Sequence, residues 1–257
     1  MSEFDIQKSF CDVDLETDDI VMIHGDAGVA AQYMDLTSER RLDYLIDQMK
    51  EYFSPAGTIL IPAFSYSSTK NEVYDVNETS SAVGLFSERF RHGPDVERTR
   101  HPIFSVSTWG RFGCDFLEGS NYDCFGPGTF FDMILKRNVK LVALGCDLNN
   151  LTFVHYVEQQ KDVNYRSFKT FNGNIIDGKC RIRVDTKYYV RDMALKTGCN
   201  LKLFGEVAER KELLRIGSAG RFPLKVIGSA DFYKVAMDLL VKDEYSLIDE
   251  GVIGSDI

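Results

Sequence analysis

The sequence predicts an α/β fold, a three-layer αβα sandwich around a central mixed sheet with a β-rich insert in the C-terminal half. Three observations carry this. The runs Asp19-Ile20-Val21-Met22-Ile23-His24, Thr58-Ile59-Leu60-Ile61-Pro62 and Val139-Lys140-Leu141-Val142-Ala143-Leu144 have the length and β-branched content of buried strands. The first two flank an amphipathic helix within about forty residues, which makes a right-handed βαβ unit. Past residue 170 the helical spacing gives way to Asn172-Gly173 and Asp177-Gly178, pairs that favour hairpin turns.

Taken in order, Met1 to Glu16 is polar and mixed and reads as an N-terminal helix or arm. The first strand runs into Gly25-Asp26-Ala27-Gly28, a small-residue loop that lets a ligand approach the backbone, or else an ordinary tight βα turn. Thr37 or Ser38 caps a helix with Leu42, Leu45, Ile46, Met49 and Phe53 on its apolar face, and Ser54-Pro55-Ala56-Gly57 ends it. Ala63 to Thr79, rich in Ser, Asn and Tyr, is expected as a long loop over the sheet edge; structureless loops of that length usually serve a function.

Ser80-Ser81-Ala82-Val83-Gly84 leads into a short helix over Leu85 to Arg91, and Arg98 to Ser107 is a basic cluster followed by strand-like alternation. Gly126-Pro127-Gly128 turns the chain into a helix over Phe130 to Lys136, ahead of the third buried strand. Arg181-Ile182-Arg183-Val184 and Tyr188-Tyr189-Val190 suit an antiparallel excursion, and Leu213 to Ile227 a hairpin around Gly217-Ser218-Ala219-Gly220. Phe232, Val235, Ala236, Leu239 and Leu240 line a last helix. With no repeats and no linker, residues 1–257 read as a single domain with an insert at about 170–220.

Composition narrows the function. The chain has 257 residues, 44% hydrophobic and 27% charged, ordinary for a globular protein. There is no bilayer-length apolar run and no basic-then-apolar leader, so a soluble cytoplasmic protein with no membrane partner is expected. A net charge of −9 argues against nucleic acid as a partner and suits a cationic small molecule such as an amino sugar. The six cysteines form no CxxC pair and are expected as free thiols; the four scattered histidines offer no metal-binding pair, so no metal is expected.

The segment after the third strand carries the chemistry. Asp147, Asn149 and Asn150 can cap a helix in which Thr152, His155 and Glu158 recur at i, i+3 and so share one face. A hydroxyl, an imidazole and a carboxylate would then gather just past the carboxyl end of a strand, where open α/β sheets bind ligands. The plainer alternative is an amphipathic helix with a polar side.

Several segments, in order, resemble the aminoglycoside 3-N-acetyltransferase family. Val21-Met22-Ile23-His24-Gly25-Asp26 is similar to its strand ending in a His-Ser-Ser-type loop, and Gly57-Thr58-Ile59-Leu60-Ile61-Pro62 to its Gly-Thr-apolar-Pro strand. Arg98 to Ser105, with His101-Pro102, is similar to its Arg-Ser-x-His-Pro-x-x-Ser segment, and Phe125-Gly126 to its Phe-Gly turn. Leu144-Gly145 with Thr152, His155 and Glu158 is similar to its Leu-Gly…Thr-x-x-His-x-x-Glu signature. The resemblance runs in order from about Asp19 to Glu158 and weakly on to the C-terminal helix. It departs at Gly25-Asp26, where the family has two serines, and it does not extend over Thr170 to Arg215, where an acceptor pocket would be shaped.

The resemblance implies an N-acyltransferase that uses acetyl-CoA or another short acyl-CoA. Such an enzyme needs a base, because a sugar ammonium must lose a proton before its nitrogen can attack a thioester. His155 has the intrinsic pKa for this and matches the family's base. Glu158 or Asp185 would fix its tautomer, and Glu158 is also placed to hold the acceptor's ammonium. Oxyanion donors are expected from the Gly25-Asp26-Ala27 backbone or from the Thr152 hydroxyl. Ser80, Ser81, Gly84, Ser105 and the first loop suit a pantetheine channel. Arg98, Arg100 and, behind them, Arg91 suit phosphates; alternatively they are solvated or paired with Glu88 and Glu97.

His101, Phe125 and Arg183 complete the expected substrate pocket. His24 reads as a core histidine, and Cys146 as a buried thiol with nothing to activate it.

Two acceptors compete. The preferred one is a nucleotide-linked amino sugar for surface polysaccharide, because the segment after Thr170 mixes Asp177, Asp185, Asp192 and Glu206 with Lys179, Arg181, Arg183, Lys187 and Arg191. The alternative is an aminoglycoside antibiotic, which would make the protein a resistance enzyme. An acyl-CoA hydrolase and a non-catalytic CoA-binding protein are weaker alternatives, and a homo-oligomer stays open.

Overall fold

A computed structural model describes residues 4–117, 122–192 and 198–249. In chain order the elements are α1 (Ile6–Cys11), β1 (Ile20–Gly25), α2 (Ser38–Phe53), β2 (Thr58–Pro62), β3 (Val73–Asp75), α3 (Leu85–Arg91), β4 (Glu97–Arg98), β5 (Val106–Gly110), α4 (Phe130–Lys136) and β6 (Lys140–Leu144). Then follow α5 (Val154–Lys161), β7 (Arg166–Asp177), β8 (Cys180–Arg191), α6 (Lys202–Arg210), β9 (Arg215–Ala219), β10 (Phe222–Gly228) and α7 (Ser229–Lys242).

The main sheet has the order β4-β5-β2-β1-β6-β10-β9. Its centre, β2-β1-β6, is parallel; β5 and β4 on one side and β10 and β9 on the other are antiparallel. The three apolar runs of the sequence are that parallel centre. Each is covered on both faces, and the pleat divides its side chains between two cores. Val21, Ile23, Ile59, Ile61, Val142 and Leu144 pack with α1, α2 and α3, whereas Met22, Leu60, Leu141 and Ala143 pack with α4, α5 and α7. These are the three layers that the sequence predicts.

The excursion after α5 is one long hairpin, β7–β8, which forms a separate sheet with β3. Its turn is at Gly178-Lys179, where Gly178 takes φ +56° between the paired Asp177 and Cys180. Asn172-Gly173, expected as a second turn, lies mid-strand, opposite Asp185 and Val184. The expected loop over Ala63 to Thr79 is likewise structured, because Val73–Asp75 pairs in parallel with Asn174–Ile176. The expected insert at about 170–220 begins earlier, at Arg166, and α6 and β9 are not part of its sheet. No helix among the described residues is long and apolar enough to cross a membrane, and all six cysteines are free thiols.

Candidate active site

α5 follows the carboxyl end of β6, the strand that pairs with both β1 and β10. A turn of 3-10 helix over Leu148–Asn150 intervenes, capped by Asp147 Oδ1 on the Asn149 N–H. His155 sits in the first turn of α5 with its side chain 24% exposed, and Glu158 one turn later is fully buried. His155 Nδ1 lies 2.7 Å from Glu158 Oε2. The same oxygen meets Arg166 Nη2 at 2.9 Å, and Oε1 accepts from the Tyr165 hydroxyl at 2.9 Å. Arg166, at the start of β7, is itself buried and donates through Nη1 to Tyr189 O.

Electrostatics follow from this packing. Burial, then the Arg166 cation, pull the His155 pKa below its ordinary value, although Glu158 opposes them. Burial alone would raise the Glu158 pKa, but the His155, Arg166 and Tyr165 contacts outweigh it and hold the carboxyl below its usual range. His155 Nδ1 also lies 2.8 Å from Arg166 Nη2, which only donates, so two contacts compete for this nitrogen; the carboxylate, which only accepts, is matched when the imidazole proton sits on Nδ1. Nε2 then keeps its lone pair and makes no hydrogen bond with the described residues.

Thr152 is not on this helix face. It precedes α5, its N–H donates to His24 Nε2 at 3.4 Å, and its hydroxyl is 3.5 Å from Asn150 O. It lines a cleft of about 550 Å³ with Gly25, Asp26, Ala27 and Gly84, so this part of the expected cofactor set does come together. Tyr66 and Cys146 share that cleft. Within the first loop the Asp26 N–H is bonded to Leu144 O at 2.9 Å and Asp26 Oδ1 accepts from Gly28 N at 2.7 Å, so the Asp26 amide is not free for a ligand. His24 is the core histidine expected, its pKa pulled down to about 3 by burial.

Other expected residues lie elsewhere. Asp185 does not reach His155; it is exposed and accepts from Asn172 Nδ2. It is six residues along β8 from Arg191, the partner of Arg166, hence about 20 Å at strand rise. From Ile182 to Tyr188 the even positions of β8 face inward, which leaves Arg181, Arg183, Asp185 and Lys187 on the solvent side. Arg183 therefore lines only a shallow recess beside Val73 and Asn174.

Arg98 is buried and spends its guanidinium on Ala63 O, Thr79 O, Val76 O and Ser105 Oγ, so it braces the chain instead of meeting phosphate. Ser105 is fully buried within that brace. Arg91 pairs with Glu88 at 2.7 Å, and Arg100 with Asp177 at 2.5 Å. The Ser81 N–H is taken by Glu88 at 2.7 Å, and the exposed Ser80 is not among the cleft residues. His101 Nδ1 accepts the Phe104 and Ile103 N–H groups at 2.9 and 3.2 Å, a turn cap, and burial takes its pKa down to about 4. Phe125 is fully buried, with its ring 6.0 Å from that of His155, so it supports the base from behind.

Arg166 and Tyr165 were not legible as site residues, because they lie at the start of β7 and in the turn just before it and reach Glu158 only through the tertiary fold.

The aminoglycoside 3-N-acetyltransferase family model matches residues 34–241 of the chain. The chain belongs to this family. Aminoglycoside N(3)-acetyltransferase IX of Micromonospora chalcea is 25% identical over 103 residues, a match spanning 40% of this chain and 37% of that protein, little more than a third of the relative's own length. Among solved structures, AAC-IIIb in its binary complex with CoASH superposes with a TM-score of 0.77 at 17% identity, over 92% of this chain and 95% of that one. A mutant of aminoglycoside acetyltransferase AAC(3)-IVa in complex with apramycin gives 0.74 at 18%, over 95% and 94%. At such identities the superpositions show a shared fold, in agreement with the α/β class read from the sequence.

Proposed function

We propose that the chain transfers an acetyl group from acetyl-CoA to a primary amine of an aminoglycoside. The observation that carries this reading is His155, with Nδ1 held by a buried carboxylate and Nε2 left as the base, in a chain of this family. Nε2 takes the proton as the amine nitrogen attacks the thioester carbonyl carbon. Glu158 compensates the imidazolium formed, and the imidazolium then returns the proton to the departing CoA thiolate. A lowered pKa keeps His155 neutral, and so competent, at neutral pH. The acyl donor is assigned to the cleft that runs from the Gly25-Asp26-Ala27 loop to Thr152.

The family match favours the antibiotic over the nucleotide-linked sugar expected from the mixed charges after Thr170. Those charges lose their force once placed, because Arg181, Arg183 and Lys187 point to solvent on the outer side of the hairpin. A net charge of −9 suits a polycationic acceptor. The test is to incubate the chain with acetyl-CoA and an aminoglycoside and to locate the product's acetyl group by mass and NMR. The expected product carries one acetyl group, as an amide; an unmodified antibiotic beside an acetylated nucleotide sugar would reverse the assignment.

A further inference from the structure

The expected oxyanion donors are in part engaged, since the Asp26 N–H is bonded to Leu144 O and the Thr152 hydroxyl lies 3.5 Å from Asn150 O. Two half-buried phenols stand ready in their place. Tyr66, from the segment after β2, lines the cleft beside Thr152. Tyr188 comes from the inward face of β8. Both rings pack edge-on against Phe104, with centroids at 5.7 and 5.2 Å, so two chain segments distant in sequence converge on one aromatic support. Tyr188 also packs at 5.9 Å against Phe125, the ring that backs His155.

Neither hydroxyl hydrogen-bonds to any described residue, so each keeps its O–H to donate to a ligand. Tyr66 moreover holds a left-handed backbone, φ +57°, which is unfavourable for a bulky residue and tends to mark functional positions.

We propose that the Tyr66 and Tyr188 hydroxyls are the hydrogen-bond donors that receive the thioester carbonyl oxygen of the acyl donor as it becomes an oxyanion. As the amine nitrogen bonds to the carbonyl carbon, the C=O electron pair moves onto this oxygen, held by the two O–H groups. When the pair returns, the C–S bond breaks and CoA leaves with the proton carried by His155. Burial raises the pKa of both phenols, that of Tyr188 to about 12, so they stay protonated donors throughout the working range. Preorganised donors aimed at the developing charge, with no partner to surrender first, are what such a step requires.

The proposal rests on the acetyl-transfer reading, so its test includes a readout that needs no acceptor. The variants are Tyr66→Phe and Tyr188→Phe, which keep both rings and remove groups that bond to nothing else in the fold; both should therefore keep the wild-type Tm. Calorimetry compares CoA with a trifluoromethyl-ketone analogue of acetyl-CoA, whose hydrated carbonyl presents an oxyanion-like oxygen. Each variant should bind CoA within twofold of wild type and lose at least tenfold of the preference for the analogue. Where transfer is measured, kcat should fall about 100-fold with little change in the KM for acetyl-CoA.

Unchanged analogue preference in both variants overturns the proposal, whether or not an aminoglycoside is acetylated, and so does a wild-type protein that binds neither ligand. A wild type that binds CoA and the analogue but acetylates no aminoglycoside refutes the function reading alone.

Discussion

Replacing Glu158 by Gln should break the site and the fold together. Glu158 is fully buried and satisfies three donors with two carboxylate oxygens: His155 Nδ1 at 2.7 Å, Arg166 Nη2 at 2.9 Å and the Tyr165 hydroxyl at 2.9 Å. Glutamine offers one oxygen and turns an NH2 group towards a donor. It also leaves the Arg166 guanidinium, whose side chain is 4% exposed, without its counter-charge. Breaking a buried pair in this way costs about 3–5 kcal/mol. For a chain of this size each kcal/mol is about 2–4 °C in Tm, so the loss should be roughly 10 °C.

The assay is thermal unfolding of Glu158→Gln, Arg166→Met and the double variant, with kcat measured alongside. Because the double variant strands no cation, it should recover at least half of the Glu158→Gln loss, and the cycle should be clearly non-additive. Glu158→Gln should also lose roughly 10³-fold in kcat, since nothing then fixes the imidazole tautomer. A Tm within 2 °C of wild type, or an additive cycle, would mean that the Glu158–Arg166 pair carries no such load.

His155→Ala should lower kcat by about 10²–10⁴-fold with CoA affinity unchanged by calorimetry; unchanged turnover would remove the base from the mechanism. In wild type, the acid limb of the kcat/KM profile should fall below pH 6.5, because burial and Arg166 favour neutral His155. Stability should drop with acid as well. His24 and His101 keep folded pKa values near 3 and 4, so between those values and 6.5 the unfolded chain binds the extra protons, and the stability present above pH 6.5 is lost as pH falls. Two protons give a slope of about 2.7 kcal/mol per pH unit near pH 5, and a urea midpoint unchanged from pH 7 to 5 would contradict it. Asp185→Asn should leave kcat and Tm unchanged within error, because its carboxylate faces solvent on the outer side of β8 and, among the described residues, bonds to Asn172 alone; a tenfold loss of activity would restore it to the site.

What the sequence disclosed and what it hid have physical causes. The parallel centre was legible because β1, β2 and β6 are buried on both faces, which forces continuous apolar runs such as Ile59-Leu60-Ile61. The His155–Glu158 contact was legible because helical spacing is local: i, i+3 puts two side chains together whatever the rest of the chain does. Thr152 was misplaced by one turn, since a 3-10 turn at Leu148–Asn150 delays the start of α5. Arg98 looked like a phosphate ligand for want of any sequence signal that four oxygens from distant segments would enclose it. Arg166 reaches Glu158, and the Tyr66 and Tyr188 rings meet on Phe104, through contacts across long sequence separations that no local spacing records.

Acetylation of an aminoglycoside by this chain is the proposed reaction on which the roles of His155 and Glu158 depend. The most direct measurement is thiol release from acetyl-CoA, followed with DTNB, on wild type and His155→Ala with kanamycin-type aminoglycosides and with nucleotide-linked amino sugars in parallel. The predicted result is release with the aminoglycosides, dependent on His155, and none above background with the sugar nucleotides. Release with the sugar nucleotides alone, or release that survives His155→Ala, would contradict it.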